Sequence, residues 1–192
     1  MKADAILRVT ELLRKRLEAA LVSSGMPGTV FVGPLDDAEA SGAALVLFLY
    51  RIIPNANLRN SEHRIPSNVA PPTVYQNSLP LDLYYLITVG TTSEANEEAP
   101  LRSLGYAIQA IQAAPDLTGA DVGQETVHVT LEPLSTEEAS RIWALFPTAN
   151  YRTSVAYLAT PVWLDPPDVL PLAVPVVDNR LLAGSRTGEV AS

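Results

Sequence analysis

Few residues in this sequence have both a chemically reactive side chain and a position that suggests a functional site. The chain has 192 residues, two histidines and no cysteine. Thiol nucleophiles, disulfides and thiolate or multi-histidine metal centres are therefore excluded. His128 lies on the polar face of an alternating segment, where it could act as a general base only beside an acid. Asp82 or Glu132 would be that acid in a small hydrolase, but the sequence supplies no fixed partner, so we favour a solvent-facing or interface histidine.

His63 lies in a long polar segment beside Arg59, Glu62 and Arg64. Such a group could bind an anion or take part in catalysis. Because the segment is rich in proline and asparagine and has no apolar periodicity, we interpret His63 as a solvated loop histidine.

Asp82 and Arg51 are single charges inside apolar segments. A buried carboxylate with a raised pKa could transfer protons, but an edge or interface position beside an arginine or a backbone amide is the preferred interpretation of Asp82. A cation such as Arg51 needs a carboxylate or access to water. We therefore predict that Arg51 pairs with Asp82 across adjacent strands.

The acidic side chains are explained without a ligand. Lys and Arg number 13 and Asp and Glu 21, giving a formal charge of −8, which opposes non-specific binding to nucleic acid. The acids at 36, 37 and 39 lack the glycine and spacing of an EF-hand loop. Those at 94, 97 and 98 suit the first turn of a helix. We expect no catalytic, cofactor or metal site.

The elements that must position these side chains alternate between helical and strand patterns. Helices are predicted over 3–22, over a segment that ends before Pro115, and from the capping box at Ser135. Strands are predicted over 30–32, 44–53, 79–89, 126–131 and 154–164, with a long loop over 54–78. This order predicts an α/β (α+β) fold, a mixed β-sheet flanked by helices that cover both faces of the 44–53 strand.

The sequence predicts one domain over 1–164 and an extended, proline-rich tail over 165–192. Both the tail and the 54–78 loop are candidates for ordering on a protein partner, with plain disorder as the alternative. No segment has the length of a membrane-spanning helix or the pattern of a secretory signal. We therefore expect a protein that stays in a cytoplasm or leaves it with a larger particle.

Three blocks of sequence carry a resemblance to a known family. The first is LFLYRI at 47–52 followed by NLRN at 57–60, and the second is LPLDLYYLIT at 79–88 followed by the helix over 98–109. The third runs from LEPLS at 131–135 to YRTSVAY at 151–157. In this order, over about residues 5–164, they resemble the N-terminal domain of cap proteins of contractile injection systems, the phage-tail-like particles of the antifeeding-prophage type.

The resemblance implies a structural tail terminator and not an enzyme. Members form a ring, typically a hexamer, that closes the end of the inner tube and sheath and stops their growth. The resemblance implies that the protein needs no cofactor and assembles in a bacterial cytoplasm. Its implied partners are further copies of itself, the tube protein and the sheath protein. A tube-end adaptor, a phage-type head–tail connector or the hydrolase above are the alternatives.

No catalytic residue can be transferred from the family. Interface residues are predicted instead from the long loop, the tyrosine-bearing strands and the third block. They are Arg51, Arg59, His63, Arg64, Asp82, Tyr84, Tyr151 and Arg152. The acidic balance would then pair with basic surfaces on tube or sheath subunits.

Overall fold

A six-stranded mixed sheet organises this computed structural model, which describes residues 3–26, 28–65, 73–75, 77–90, 98–123 and 125–167. Its helices are α1 (Ala5–Ser23), α2 (Glu98–Ala113) and α3 (Thr136–Trp143). Its strands are β1 (Val30–Val32), β2 (Leu45–Pro54), β3 (His63–Ile65), β4 (Thr73–Tyr75), β5 (Leu79–Val89), β6 (Asp116–Thr118), β7 (Thr126–Glu132) and β8 (Ser154–Leu164). The predicted fold class, a mixed sheet flanked by helices, is confirmed.

The strand order in the main sheet is β1-β2-β5-β8-β7-β6. β1 runs parallel to β2, and every other neighbouring pair is antiparallel. The long strands β2, β5 and β8 form the centre, whereas the two edges, β1 and β6, have three residues each. β3 and β4 form a separate antiparallel pair.

The first face of the sheet is covered by α1 and α2. Leu13, Leu17 and Leu21 recur at helical spacing on α1 and are fully buried in one cluster with Leu83 and Ile87 of β5. Alternate residues of a strand share one face, so the apolar positions of β5 meet the apolar stripe of α1. The core therefore lies between the sheet and these two helices.

α1 and β5 are also joined by a buried hydrogen bond. The hydroxyls of Tyr85 and Thr10 lie 2.8 Å apart, and Thr10 donates to the carbonyl oxygen of Ile6. Burial raises the pKa of Tyr85, and its hydrogen bond with the Thr10 hydroxyl only partly offsets this effect. The phenol is therefore neutral, as a buried phenol must be.

Among the residues that the structure describes, the second face is covered over one half only, by α3 and the turn that follows it. Trp143 and Phe146 pack there with Val46, Leu86 and Ala156. The rings of Phe146 and Phe48 meet edge to face, with centroids 5.2 Å apart.

The start of α3 is fixed by the predicted capping box. The Ser135 hydroxyl accepts a hydrogen bond from the backbone N–H of Glu138, and the Glu138 carboxylate accepts one from the backbone N–H of Ser135. These hydrogen bonds to Ser135 lower the pKa of Glu138. Two N–H groups that have no partner within the helix are satisfied in this way.

Replacing Ser135 by alanine is expected to lower the free energy of unfolding by about 1 kcal/mol, because it removes the side-chain cap. Equilibrium urea unfolding measures the change. Ser140→Ala, at an exposed position in the same helix, is the matched control and should leave stability unchanged or slightly higher. Equal losses in both variants would contradict a role for the cap.

The segment predicted as an unstructured loop over 54–78 contains β3 and β4, so that prediction is wrong at 63–65 and 73–75. β3, β4 and β6 have three residues each and lack the all-apolar run that indicates a strand at 30–32. Residues 168–192 of the predicted tail lie outside the described residues. Within the described part of the chain, α1, α2 and α3 are each too short or too polar to span a membrane.

Candidate functional site

The half of the second sheet face beyond α3 carries a row of polar side chains. Asp82 and Tyr84 alternate with the buried Leu83 and Tyr85 of β5, so they point to this second face. Directly paired residues of antiparallel strands share a face. Thr160 pairs with His128, and His128 pairs with Asp116, which extends the row across β8, β7 and β6.

Arg51 and two tyrosines form the aromatic end of this half-face. The Arg51 guanidinium lies over the Tyr84 ring, 5.2 Å from its centroid, and the rings of Tyr50 and Tyr84 are 6.1 Å apart. Burial, with a smaller effect from the charge of Glu132, raises the pKa of Tyr50 to about 12. Both phenols therefore keep their protons near neutral pH and can donate hydrogen bonds to a partner.

The predicted pairing of Arg51 with Asp82 is wrong. The register shifts between Leu49 and Arg51 and places Arg51 opposite Tyr84, while Asp82 lies opposite Ile53. An irregularity of this kind adds a residue to one strand and re-aims the side chains that follow it. The Arg51 cation lies over an aromatic face instead of pairing with Asp82.

Asp82 is held by two neutral donors. The Asn55 side-chain amide donates to Asp82 Oδ1 at 2.9 Å, and the Thr160 hydroxyl donates to the same oxygen at 2.5 Å. Asp82 is thus an acceptor fixed in position on the half-face. The expected edge position beside an arginine or a backbone amide is wrong, because β5 is a central strand and both donors are neutral side chains.

His128 has an acid partner that the sequence did not reveal. Its Nδ1 lies 2.6 Å from Oδ1 of Asp116, a residue of the short strand β6. Glu132 is four residues further along the same strand, about 13 Å away. Because the side chains of His128 and Asp116 are 49% and 53% exposed, this is a surface contact, and contacts of this kind contribute little stability.

His63 lies inside the domain, so its interpretation as a solvated loop histidine is wrong. Only 5% of its side chain is exposed. Nδ1 lies 2.6 Å from Oδ1 of Asp165, and Nε2 lies 3.4 Å from Oε1 of Glu125. Burial alone lowers the pKa of His63, but the contacts with Glu125 and Asp165 outweigh it and raise the pKa above its ordinary value.

The remaining predicted interface residues are spread over the surface. Arg59 and Arg64 are exposed, and Arg64 pairs with Glu62 at 2.7 Å. Arg152 is half-buried and donates to the carbonyl oxygen of Val89 at 3.5 Å. Burial lowers its pKa. The structure therefore brings together Arg51, Asp82 and Tyr84 and leaves the other predicted residues apart from them.

A cleft of about 590 Å³ lies between α3, the end of β7 and the start of β8. Leu131, Pro133 and Tyr151 are exposed at its wall, and the Tyr151 ring lies 5.3 Å from the ring of Trp143. Exposed apolar side chains that share a concave surface are typical of contact sites. Sequence reasoning found Tyr151 but not the cleft, because the cleft depends on how α3 packs.

The family model and the solved structures that match this chain all point to cap or terminator proteins. The family model of the Pvc16 N-terminal domain matches residues 8–178. The anti-feeding prophage cap, described as the AFP tube terminating cap, is similar in structure with a TM-score of 0.62 and 21% identity, covering 90% of this chain and 59% of that one. No curated protein matches the sequence.

A second solved structure is the sheath/tube terminator, in its extended state, of the extracellular contractile injection system PVC. It gives a TM-score of 0.55 and 19% identity, covering 93% of this chain and 62% of that one. The chain thus spans about three fifths of the length of the two solved chains.

Proposed function

Because this chain belongs to the Pvc16 N-terminal domain family, we propose that it is a structural cap of a contractile injection system. In this role it forms a ring, typically a hexamer, at the end of the inner tube and sheath and stops their polymerisation. It acts without a cofactor and is not an enzyme. It assembles in the bacterial cytoplasm and becomes part of the particle.

One observation carries this proposal, namely the fold shared over 90% of the chain with a tube-terminating cap. The surface agrees with it. The polar groups of the open half-face pair with one another, as Asp82 does with Asn55 and Thr160, and so offer recognition chemistry more than a reactive centre. Arginine and tyrosine, which meet there as Arg51 and Tyr84, are enriched among interface residues.

A closed ring gives each subunit two different contact faces. We propose that the open half-face, with Arg51, Asp82 and Tyr84, contacts a tube or sheath subunit. The cleft beside Tyr151 contacts a neighbouring copy. Arg59, Arg64 and Arg152 extend these contacts. His63, also predicted as an interface residue, is buried and is not part of this surface. The net charge of −8 favours basic surfaces on the partners.

Deletion of the gene from a strain that makes the particle tests this function. We expect tubes and sheaths of uncontrolled length, or no stable particles, and restoration by the full-length gene on a plasmid. Electron microscopy of purified particles measures the lengths and shows whether density at the tube end is lost. Normal particles of normal length in the deletion strain would reject the cap role, and lost density at the opposite end would indicate an adaptor.

The double variant Arg51→Ala, Tyr84→Ala is expected to remain folded but to fail in restoring the length distribution. Both side chains are at least partly exposed, so their loss removes contacts to a partner and little of the core. Arg141→Ala is the matched control, because Arg141 is an exposed arginine paired within α3 to Glu137. Full restoration by the double variant would exclude this half-face from assembly.

A further inference from the structure

The imidazole of His63 contacts two carboxylates and two aromatic rings, all of which favour a cation. Asp165 faces Nδ1 at 2.6 Å and Glu125 faces Nε2 at 3.4 Å. The Trp163 ring stacks on one side, 4.5 Å away and nearly parallel, and the Tyr75 ring is stacked at 5.9 Å. Aromatic faces attract cations, so the rings and the carboxylates favour the same protonation state.

The two carboxylates of the cluster favour a proton on His63. At most 10% of each of the three titratable side chains is exposed, and buried carboxylates are costly without a compensating charge. The Ser78 hydroxyl also donates to Asp165 at 2.7 Å. Near the cluster, Glu62 and Arg64 flank His63 in the sequence and pair with each other at the surface. The imidazolium form of His63 therefore pairs favourably with both Glu125 and Asp165, alongside the other hydrogen bonds that lower the pKa of Asp165.

A metal ion fits the same three residues less well. Their donor atoms all lie within 4.8 Å of one another. However, the 2.6 Å between Nδ1 and Asp165 Oδ1 is a hydrogen-bond distance, shorter than the spacing of two ligands on one tetrahedral zinc, about 3.3 Å from ligand bonds near 2.0 Å. If His63 bound zinc, Asp165 would only orient the imidazole ring through a hydrogen bond. Only His63 and Glu125 would remain as protein ligands, whereas zinc sites use three or four.

The cluster joins segments that are distant in the sequence. His63 belongs to β3, Glu125 directly precedes β7, and Asp165 directly follows β8. Tyr75, on β4, stacks against the same ring. We propose that protonated His63 is a pH-controlled latch that holds the β3–β4 pair and the end of β8 against the domain. This inference stands independently of the proposed cap role.

The direction of the pH effect follows from the raised pKa of His63. A group with a higher pKa in the folded state binds more protons there than in the unfolded chain. Its stabilising contribution is complete below the unfolded value of about 6.5 and is lost as pH rises through the folded value. The latch is therefore closed below about pH 6.5 and opens as pH rises through the folded-state pKa of His63.

The test uses the fact that the chain has only two histidines. In full-length His128→Gln protein, which changes an exposed position, the remaining imidazole NMR signals report His63 alone. We expect His63 to titrate above about 6.5 and to titrate lower in Asp165→Asn. Titration at or below that value in the parent would overturn the proposal.

Amide hydrogen exchange measured on the same protein gives the structural readout. After correction for the intrinsic pH dependence, exchange at 63–65, 73–75 and 163–165 should rise through the pKa of His63, while α1 stays protected. In His63→Gln it should be fast at all pH values. No such rise between about pH 6 and about pH 9 would overturn the latch. Zinc added to the parent should change neither signal, and zinc-dependent protection lost in His63→Gln would overturn the latch in favour of a metal site.

Discussion

Replacing Gly90 by alanine is expected to destabilise the protein by about 3 kcal/mol. A Cβ atom at this position would lie 1.7 Å from the carbonyl oxygen of Ala43 and 2.6 Å from its carbonyl carbon. These are backbone atoms, so no side-chain rotation relieves the clash. The backbone N–H of Gly90 donates to the carbonyl oxygen of Ala44 at 2.9 Å, and separating the segments would also break this hydrogen bond.

Equilibrium urea unfolding followed by tryptophan fluorescence measures the loss at Gly90. The matched control is Gly105→Ala in α2, where a Cβ atom meets nothing within 4 Å. Alanine is the better helix former, so this control should raise stability by about 0.5–1 kcal/mol. If Gly90→Ala stayed within about 0.5 kcal/mol of the parent, the close approach of the β5 end to Ala43 would be wrong.

Replacing Trp143 by alanine is expected to cost about 3–5 kcal/mol and to detach α3 from the sheet. Only 6% of Trp143 is exposed, and its ring packs with Val46, Leu86 and Ala156. Its indole N–H donates to the Ser154 hydroxyl at 3.5 Å. Because α3 forms one wall of the cleft, the variant should lose the cleft together with the helix.

Urea unfolding together with amide exchange along α3 checks this expectation. Leu145→Ala is the control, since Leu145 is 70% exposed and its truncation should change stability by less than about 0.5 kcal/mol. Fast exchange confined to α3 in Trp143→Ala would show local detachment. Similar losses for both variants would mean that Trp143 does not anchor the helix.

The central strands and the N-terminal cap of α3 were predictable because the sequence patterns that indicate them are local. β5 and β8 lie where the apolar pattern predicts them, and the capping box at Ser135 forms as predicted. A strand of about ten residues with one uniformly apolar face carries many repeats of the same signal. α1 likewise shows its buried stripe over five turns of sequence.

The missed features depend on contacts between residues far apart in the chain. Asp165 is 102 residues from His63, so no local spacing indicates that they meet. The Arg51–Asp82 prediction had the correct strands but missed the irregularity beside Arg51. Strand register and the burial of short loop segments are decided by the packing of the whole domain. The sequence could therefore predict which residues belong to the candidate site but not how they are arranged there.

The short outer strands β1 and β6 have a consequence for how copies of this protein behave when concentrated. A second molecule that added a strand to β1 or β6 would pair with only three residues, and short edge strands are one way in which natural sheets avoid aggregation. At the β6 edge, the Arg16 guanidinium already donates to the carbonyl oxygen of Asp116 at 3.0 Å. Strand addition at β1 or β6 is thus disfavoured as a route to fibres.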